Sequence, residues 1–263
     1  MEGHATLAVD LRDVMIRFGE FTAVKSMNLQ VGETEFVAVV GPTGCGKSTI
    51  LNTVTGLLKP AAGDVRIFGK PLAGLNEQSG YMLQQEGLLP WKNAEDNVGL
   101  GLVFQGKPKD EARERARVWL AKVGLKGFET RYPHQLSGGQ RKRVAMAQTL
   151  IMEPKIVLMD EPFSALDVHT RRLMHRILLD LWQAEKRSLI FITHDLDEAI
   201  TLADRVVVMS AGPASRMVGS VNIPLSRPRD VSALQTTDAF VALYREIWSL
   251  LGTEVEKSYA AQG

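Results

Sequence analysis

The sequence predicts an α/β fold: a mostly parallel core sheet with an N-terminal antiparallel β part and an inserted helical subdomain. Three observations predict it. An apolar run at 36–40 leads directly into a glycine-rich loop and then a helical pattern. From 155 to 209, short apolar strand patterns alternate with helical ones. Between these regions, from 91 to 150, the pattern is helical only.

Taken in order, residues 7–38 read as short alternating strands, with Met27-Asn28-Leu29-Gln30-Val31 ending at a Gly32 turn. Residues 35–40 form a buried strand, and 48–58 the helix after the glycine loop. Further strands are expected at 64–68 and 80–83. A charged, alanine-rich amphipathic helix covers 109–123, its charges at 107–117 forming a solvated face, and a second helix covers 138–152. The rhythm then resumes with a strand at 155–159, a helix at 168–184, a strand at 188–193, a short helix at 195–203 and a strand at 205–209. An amphipathic helix over 231–251 with a polar tail closes the chain. No internal repeat or low-complexity linker interrupts a single domain, 1–263. Within it, 7–90 and 151–225 form the core, 91–150 the helical part, and 226–263 the C-terminal helix and tail.

Composition sets the boundaries of function. With 263 residues, 45% hydrophobic and 23% charged, the chain can bury a full core as an ordinary globular protein. A net charge of +1 makes no electrostatic case for nucleic acid as a partner. One cysteine excludes an internal disulfide and suits a reducing compartment. The start, Met1-Glu2-Gly3-His4, has no secretory-signal pattern, and no apolar run approaches the ~20 residues of a membrane span. The expectation is a soluble chain that reaches a membrane only through a partner.

The chemistry begins at Gly41-Pro42-Thr43-Gly44-Cys45-Gly46-Lys47-Ser48-Thr49, which fits the phosphate-binding pattern G-x-x-x-x-G-K-[ST] between a strand and a helix. Glycines let backbone N–H groups converge on phosphate oxygens, and the helix adds its positive end. Lys47 is expected on the β- and γ-phosphates and the Ser48 hydroxyl on Mg²⁺. Cys45 has no catalytic role here, although a thiol reagent reaching it is expected to block ATP binding. Ile156-Val157-Leu158-Met159-Asp160-Glu161 is an apolar strand ending in two acids, at the edge where parallel sheets hold their ligands. Asp160 suits Mg²⁺ binding through water, and Glu161 suits a general base on the attacking water. In Leu136-Ser137-Gly138-Gly139-Gln140, Ser137 and the glycine amides open a helix and form an anion site.

Together these motifs resemble ABC ATPases over 7–225, in the family's order. The resemblance implies the P-loop ABC-ATPase fold, ATP and Mg²⁺ as ligands, and ATP hydrolysis coupled to transport. It implies Thr49 near the α-phosphate, Ser164-Ala165-Leu166-Asp167 as the D-loop, and His194 as the switch histidine on the γ-phosphate. Gln84, with Gln85 as its competitor, is implied as the Mg²⁺-sensing glutamine that links the metal to the helical part. Phe18 is implied as the adenine-stacking ring, with core packing as its alternative. Ser137, Gly138, Gly139, Gln140 and Asp167 would meet the ATP of a second subunit, so a head-to-tail homodimer would sandwich two ATP molecules. Gln148 departs from the family's usual arginine, implying one structural ion pair fewer and no loss of activity.

Leu88-Leu89-Pro90-Trp91 exposes apolar surface that needs covering, by core or by another protein. In importers this region receives the membrane subunit, so Leu88, Leu89 and Trp91 are implied in coupling. Pro90-Trp91 with Tyr132-Pro133-His134-Gln135 resembles the nitrate, sulfonate and taurine importer group. The implied protein is the peripheral ATPase subunit of an importer, on the cytoplasmic face of the inner membrane. It would work below two membrane permease subunits supplied by a solute-binding protein. An exporter subunit and a soluble non-transport ABC ATPase are the alternatives.

Overall fold

The structure, a computed structural model, describes residues 7–231 and 233–260. These fall into two compact units. One contains the chain up to Ser79 and from Lys186 onward; the other is Gly80–Glu185.

The first unit opens with a hairpin of two 12-residue strands, β1 (Leu7–Phe18) and β2 (Phe21–Gly32), rather than the several short strands expected. The polar breaks that suggest strand ends are irregularities inside continuous strands. Asp13 and Ser26 adopt φ of 48° and 56°, and the Asp13 carboxylate accepts from Ser26 Oγ and Asn28 Nδ2 at 2.9 Å each. Next come β3 (Phe36–Val40), α1 (Lys47–Val54), β4 (Ala62–Ile67) and the short β5 (Lys70–Pro71). β1 joins β2 and β4 in an antiparallel sheet of order β2-β1-β4-β5. Helix α1 ends at Val54, not at 58. Gly56 at φ 76° turns the chain so closely onto the next loop that a Cβ would stand 1.9 Å from the Gly74 carbonyl.

The second unit holds β6 (Ser79–Met82), α2 (Ala94–Val98), α3 (Leu100–Phe104), α4 (Lys109–Lys122), α5 (Gly138–Leu150), β7 (Ile156–Asp160) and α6 (Val168–Glu185). β6 lies beside β7. The charges at 107–117 are not merely solvated. Arg113 pairs with Asp96 and Arg117 with Glu95, each at 2.8 Å, joining α4 to α2.

The first unit resumes with β8 (Ser188–Ile192), α7 (Leu196–Leu202), β9 (Arg205–Met209), β10 (Met217–Asn222) and α8 (Asp238–Ala260). Its second sheet runs β10-β9-β3-β8, with β3 parallel to both β8 and β9 and β10 antiparallel at the edge. Every residue of β3 and β8 is buried, as expected of strands covered on both faces. The closing helix departs from the expected 231–251. It starts later because Thr237 Oγ1 accepts from Phe240 N–H at 3.3 Å, and it continues to 260 with Leu251 and Glu254 on its buried side. Among the described residues no helix is long and apolar enough to cross a membrane.

Candidate functional site

Strand β3 delivers the chain to the glycine loop in a narrow space. A Cβ on Gly41 would stand 2.9 Å from Cys45 Sγ and 3.0 Å from Met209 Cβ. Gly46 sits at φ 92°, where side chains are strained, and a Cβ there would meet Val24 Cγ2 at 2.8 Å. The bond from Ile50 N–H to the Gly46 carbonyl, 3.2 Å, is the first of α1. The amides of Lys47, Ser48 and Thr49 therefore belong to the first turn, outside the helix ladder and at its positive end. Lys47 is buried, and its ammonium donates to the Gly41 and Pro42 carbonyls at 2.8 and 2.9 Å. Thr43, Gly44 and Ser48 form the exposed rim, with Thr49 half-buried. Cys45 is 1% exposed; burial pushes its thiol pKa up, against the opposing pull of Lys47.

His194 belongs to the same edge of the sheet. Val39 of β3 is level with Ile192 of β8, and Thr193 N–H donates to the Val39 carbonyl at 3.3 Å. The two parallel strands thus release the glycine loop and His194 side by side, about 5 Å apart by the usual strand spacing. Such carboxyl ends are where α/β sheets take ligands. The turn around exposed His194 is fixed on both sides. Thr193 Oγ1 accepts from Asp195 N–H at 3.0 Å and lies 2.6 Å from Glu198 Oε2, while the Asp195 carboxylate caps α7. Phe18 stands at the hairpin tip opposite Phe21, the two rings 52% and 56% exposed, which removes core packing as its role. The hairpin meets the glycine loop through Val24.

The second unit gathers the remaining residues. Strand β7 ends at buried Asp160, with Tyr81 Oη of β6 at 3.3 Å from Asp160 Oδ2. Burial, then the Asp160 charge, push the Tyr81 pKa up, so the phenol stays protonated as the donor. Glu161 follows at φ 42°, a strained value for a side chain that breaks the strand's alternation. Exposed Gln84 lies three residues past Tyr81, and its carbonyl accepts from Lys142 Nζ of α5. Lys142 is buried, and burial pulls its pKa down.

Ser137 and Gln140 form a capping box on α5: Ser137 Oγ accepts from Gln140 N–H at 3.3 Å, and Gln140 Oε1 from Ser137 N–H at 2.8 Å. Gly139 faces Thr170 of α6, and Asp167 caps α6 by accepting from His169 and Thr170 N–H at 3.1 and 3.0 Å. The Thr170 hydroxyl, then these amides, hold the Asp167 carboxyl below its usual pKa. The signature glycines and Asp167 are thus brought together. Asn97 pins the loop ahead of α2 through Leu89 N–H and C=O, at 2.8 and 3.1 Å. Leu88 and Leu89 are half-buried there, and Trp91 is 71% exposed, so it is not a core residue.

These groups fit a nucleoside triphosphate: first-turn amides, a lysine and a loop too tight for side chains suit a chain of phosphates. Ser48 in the first unit, and Gln84 and Asp160 in the second, each carry a hard oxygen donor of the kind Mg²⁺ prefers.

The protein-family profile described as ABC transporter matches residues 24–164. The chain belongs to the ABC transporter ATP-binding family. It is 46% identical over 236 residues to an uncharacterized ABC transporter ATP-binding protein of Methanocaldococcus jannaschii, covering 90% of this chain and 86% of that one. It is 44% identical over 196 residues to the taurine import ATP-binding protein TauB of Escherichia coli strain K12, covering 74% and 77%. Among solved structures, the ATP-binding cassette MJ0796, dimeric in a post-hydrolysis state with ADP and Pi, matches with a TM-score of 0.73 and 32% identity, over 83% of this chain and 100% of that one. The cbiO1 protein of Clostridium perfringens, part of the ABC transporter complex cbiONQ, matches with a TM-score of 0.77 and 25% identity, over 98% and 100%. The fold is therefore the P-loop ABC-ATPase fold, and this ABC protein is an ATP-binding ATPase.

Within each unit, residues outside the motifs hold the candidate site residues in place. Tyr81 stands in the sequence only as a neighbour of Gln84, yet its hydroxyl meets Asp160. Lys142 and Ser215 lie outside every pattern, although Lys142 holds the Gln84 carbonyl and Ser215 the Cys45 carbonyl.

Proposed function

We propose that this ABC ATPase powers an importer for a small organic or inorganic anion of the nitrate, sulfonate and taurine type. The observation that carries the reading is the 44% identity, over 196 residues, with a taurine import subunit. Exposed Trp91, on a loop pinned by Asn97, supports it, because a large apolar side chain held in solvent suits a protein partner. In this reading two copies act head to tail beneath two permease subunits, on the cytoplasmic face of the inner membrane. A solute-binding protein delivers the anion, and nucleic acid has no part. Residues 91–150 act as the helical subdomain between core segments 7–90 and 151–225, with 226–263 as the C-terminal helix and tail.

Each residue then has a role. The amides of 43–49 and the Lys47 ammonium bind the phosphates, and Phe18 stacks on the adenine. Ser48, Gln84 and, through water, Asp160 would hold Mg²⁺, which would supply positive charge to the phosphate oxygens. Glu161 accepts the proton of the attacking water, and His194 orients the γ-phosphate. Ser137, Gly138, Gly139, Gln140 and Asp167 cover the ATP of the other copy. Leu88, Leu89 and Trp91 receive the permease.

The test is reconstitution with candidate permease subunits and their binding protein. ATPase activity in liposomes should rise with a binding protein loaded with nitrate, taurine or another sulfonate, and Trp91→Ala should release the subunit from the permease. Unchanged retention of the Trp91 variant, with no anion stimulating turnover, would sink the importer reading. Glu161→Gln should keep ATP binding, lose turnover by about a hundredfold or more, and accumulate as a dimer.

A further inference from the structure

The loop between β9 and β10, residues 210–216, lies between the glycine loop and the C-terminal helix, all within the first unit. Ser215 is fully buried, with its hydroxyl 2.5 Å from the Cys45 carbonyl and 3.2 Å from the Ala23 carbonyl. Its backbone is tied to β2: Ser215 N–H donates to the Ala23 carbonyl at 3.1 Å, and Lys25 N–H to the Ser215 carbonyl at 2.8 Å. Gly212 also approaches the glycine loop, for a Cβ there would stand 3.4 Å from the Gly44 carbonyl. On the far side, buried Glu254 of α8 accepts from Ala211 N–H at 2.9 Å and from Lys257 Nζ at 2.6 Å.

In a trans peptide the C=O and the next N–H point in opposite directions. Anchoring the Cys45 carbonyl on Ser215 therefore aims the Gly46 N–H away from the 210–216 loop. That peptide leads into the left-handed Gly46, the most conformationally free residue next to Lys47. Its orientation is held from outside the motif.

We propose that Ser215 and Glu254 are positioning residues for the phosphate loop, and that α8 sets the affinity for ATP through loop 210–216. The proposal rests on the reading of 41–49 as the ATP site. It makes the C-terminal helix a brace, since whatever moves its last turns changes the hold on Cys45. Cys45, as the only cysteine of the chain, reports that hold directly.

The experiment measures ATP affinity, kcat and the rate of thiol labelling at Cys45 in full-length Ser215→Ala, Glu254→Ala and Glu254→Gln. Losing one hydrogen bond should weaken ATP binding about three- to tenfold and speed Cys45 labelling by a similar factor. Glu254→Ala should move both readouts in the same direction, while kcat at saturating ATP changes less than affinity. Glu254→Gln, which keeps an oxygen acceptor for the Ala211 amide, should restore them. The proposal is overturned if the alanine variants fold, bind ATP and label like the wild type, or if Glu254→Gln behaves as Glu254→Ala. Lys47→Ala runs alongside: continued ATP binding there overturns the site reading itself, whereas loss of binding there with inert Ser215 and Glu254 overturns only the brace.

Discussion

Gly139→Ala separates packing from chemistry within the signature segment. The added Cβ would stand 2.4 Å from Thr170 Cγ2, 3.7 Å from its Cβ and 3.9 Å from its Oγ1. Carbon atoms attract best at about 3.5–4.0 Å, so the two carbons must part by about 1 Å. Overpacking of this kind costs about 1–3 kcal/mol, against which alanine gains about 1 kcal/mol over glycine as a helix former. The expected net loss is about 1 kcal/mol. Thr170→Ser deletes the offending methyl and keeps the hydroxyl that serves Asp167. In that background the same Gly139→Ala change should stabilise the protein. A double-mutant cycle by urea denaturation should return a coupling of about 1–3 kcal/mol. Gly138 is the control, since a Cβ there meets nothing nearer than Arg141 at 3.9 Å. Gly138→Ala should fold at least as stably as the wild type, yet lose about a hundredfold in turnover if its backbone must approach ATP closely. An identical loss for Gly139→Ala with threonine and with serine at 170 would refute the packing argument.

Arg229→Met should cost about 3–5 kcal/mol in thermal stability. Buried Arg229 satisfies the Ile200, Thr201 and Ala203 carbonyls, at 3.2, 3.0 and 2.7 Å, where α7 ends. Burial lowers its pKa to about 10, so it remains a cation near neutrality and its contribution there should not vary with pH. A second prediction concerns acid. Asp167 has a folded pKa below its ordinary 3.8, so its capping contribution is complete above that value and is lost as pH falls through the folded one. The stability gap between wild type and Asp167→Ala should be constant near neutrality and close in strong acid; a gap that persists there contradicts the assignment. Finally, Lys47→Ala and Ser137→Arg chains should each be inactive alone and recover turnover when mixed, because a mixed dimer has one site with both halves intact. Silence on mixing argues against a shared site.

The parts of the fold that are legible in the sequence are those where one local rule dominates. Strands β3, β7 and β8, apolar but for Asp160 at the end of β7 and Ser188 at the start of β8, are buried along their whole length, and the glycine pattern forms the loop between β3 and α1 as expected. Boundaries fail where tertiary contact decides. Gly56 ends α1 because of Gly74, a neighbour in space and not a local signal. Asp13 and Ser26 resemble turn residues but form bulges, since the opposite strand supplies partners for them. Strand β10 has no counterpart among the expected elements: it is an edge strand whose residues are half-buried or exposed except for Val221 and follow no clean alternation. The site shows the same division. Motif residues can be named from the chain, whereas Tyr81, Lys142 and Ser215 act through a hydroxyl or ammonium on residues 79, 58 and 170 positions away.

The Lys47 ammonium, seated on the Gly41 and Pro42 carbonyls, makes ligand entry a substitution rather than an addition. An incoming anion must displace two neutral acceptors that are already in place. A monovalent ion such as chloride or acetate offers little advantage in that exchange, whereas the clustered charge of a polyphosphate offers a great deal. In the reading of 41–49 as the ATP site, the glycine loop should act as a charge threshold, favouring clustered negative charge before any other part of the nucleotide is read. Affinity should climb steeply from inorganic phosphate to the triphosphate, and the abundant small anions of the cell should leave the loop undisturbed.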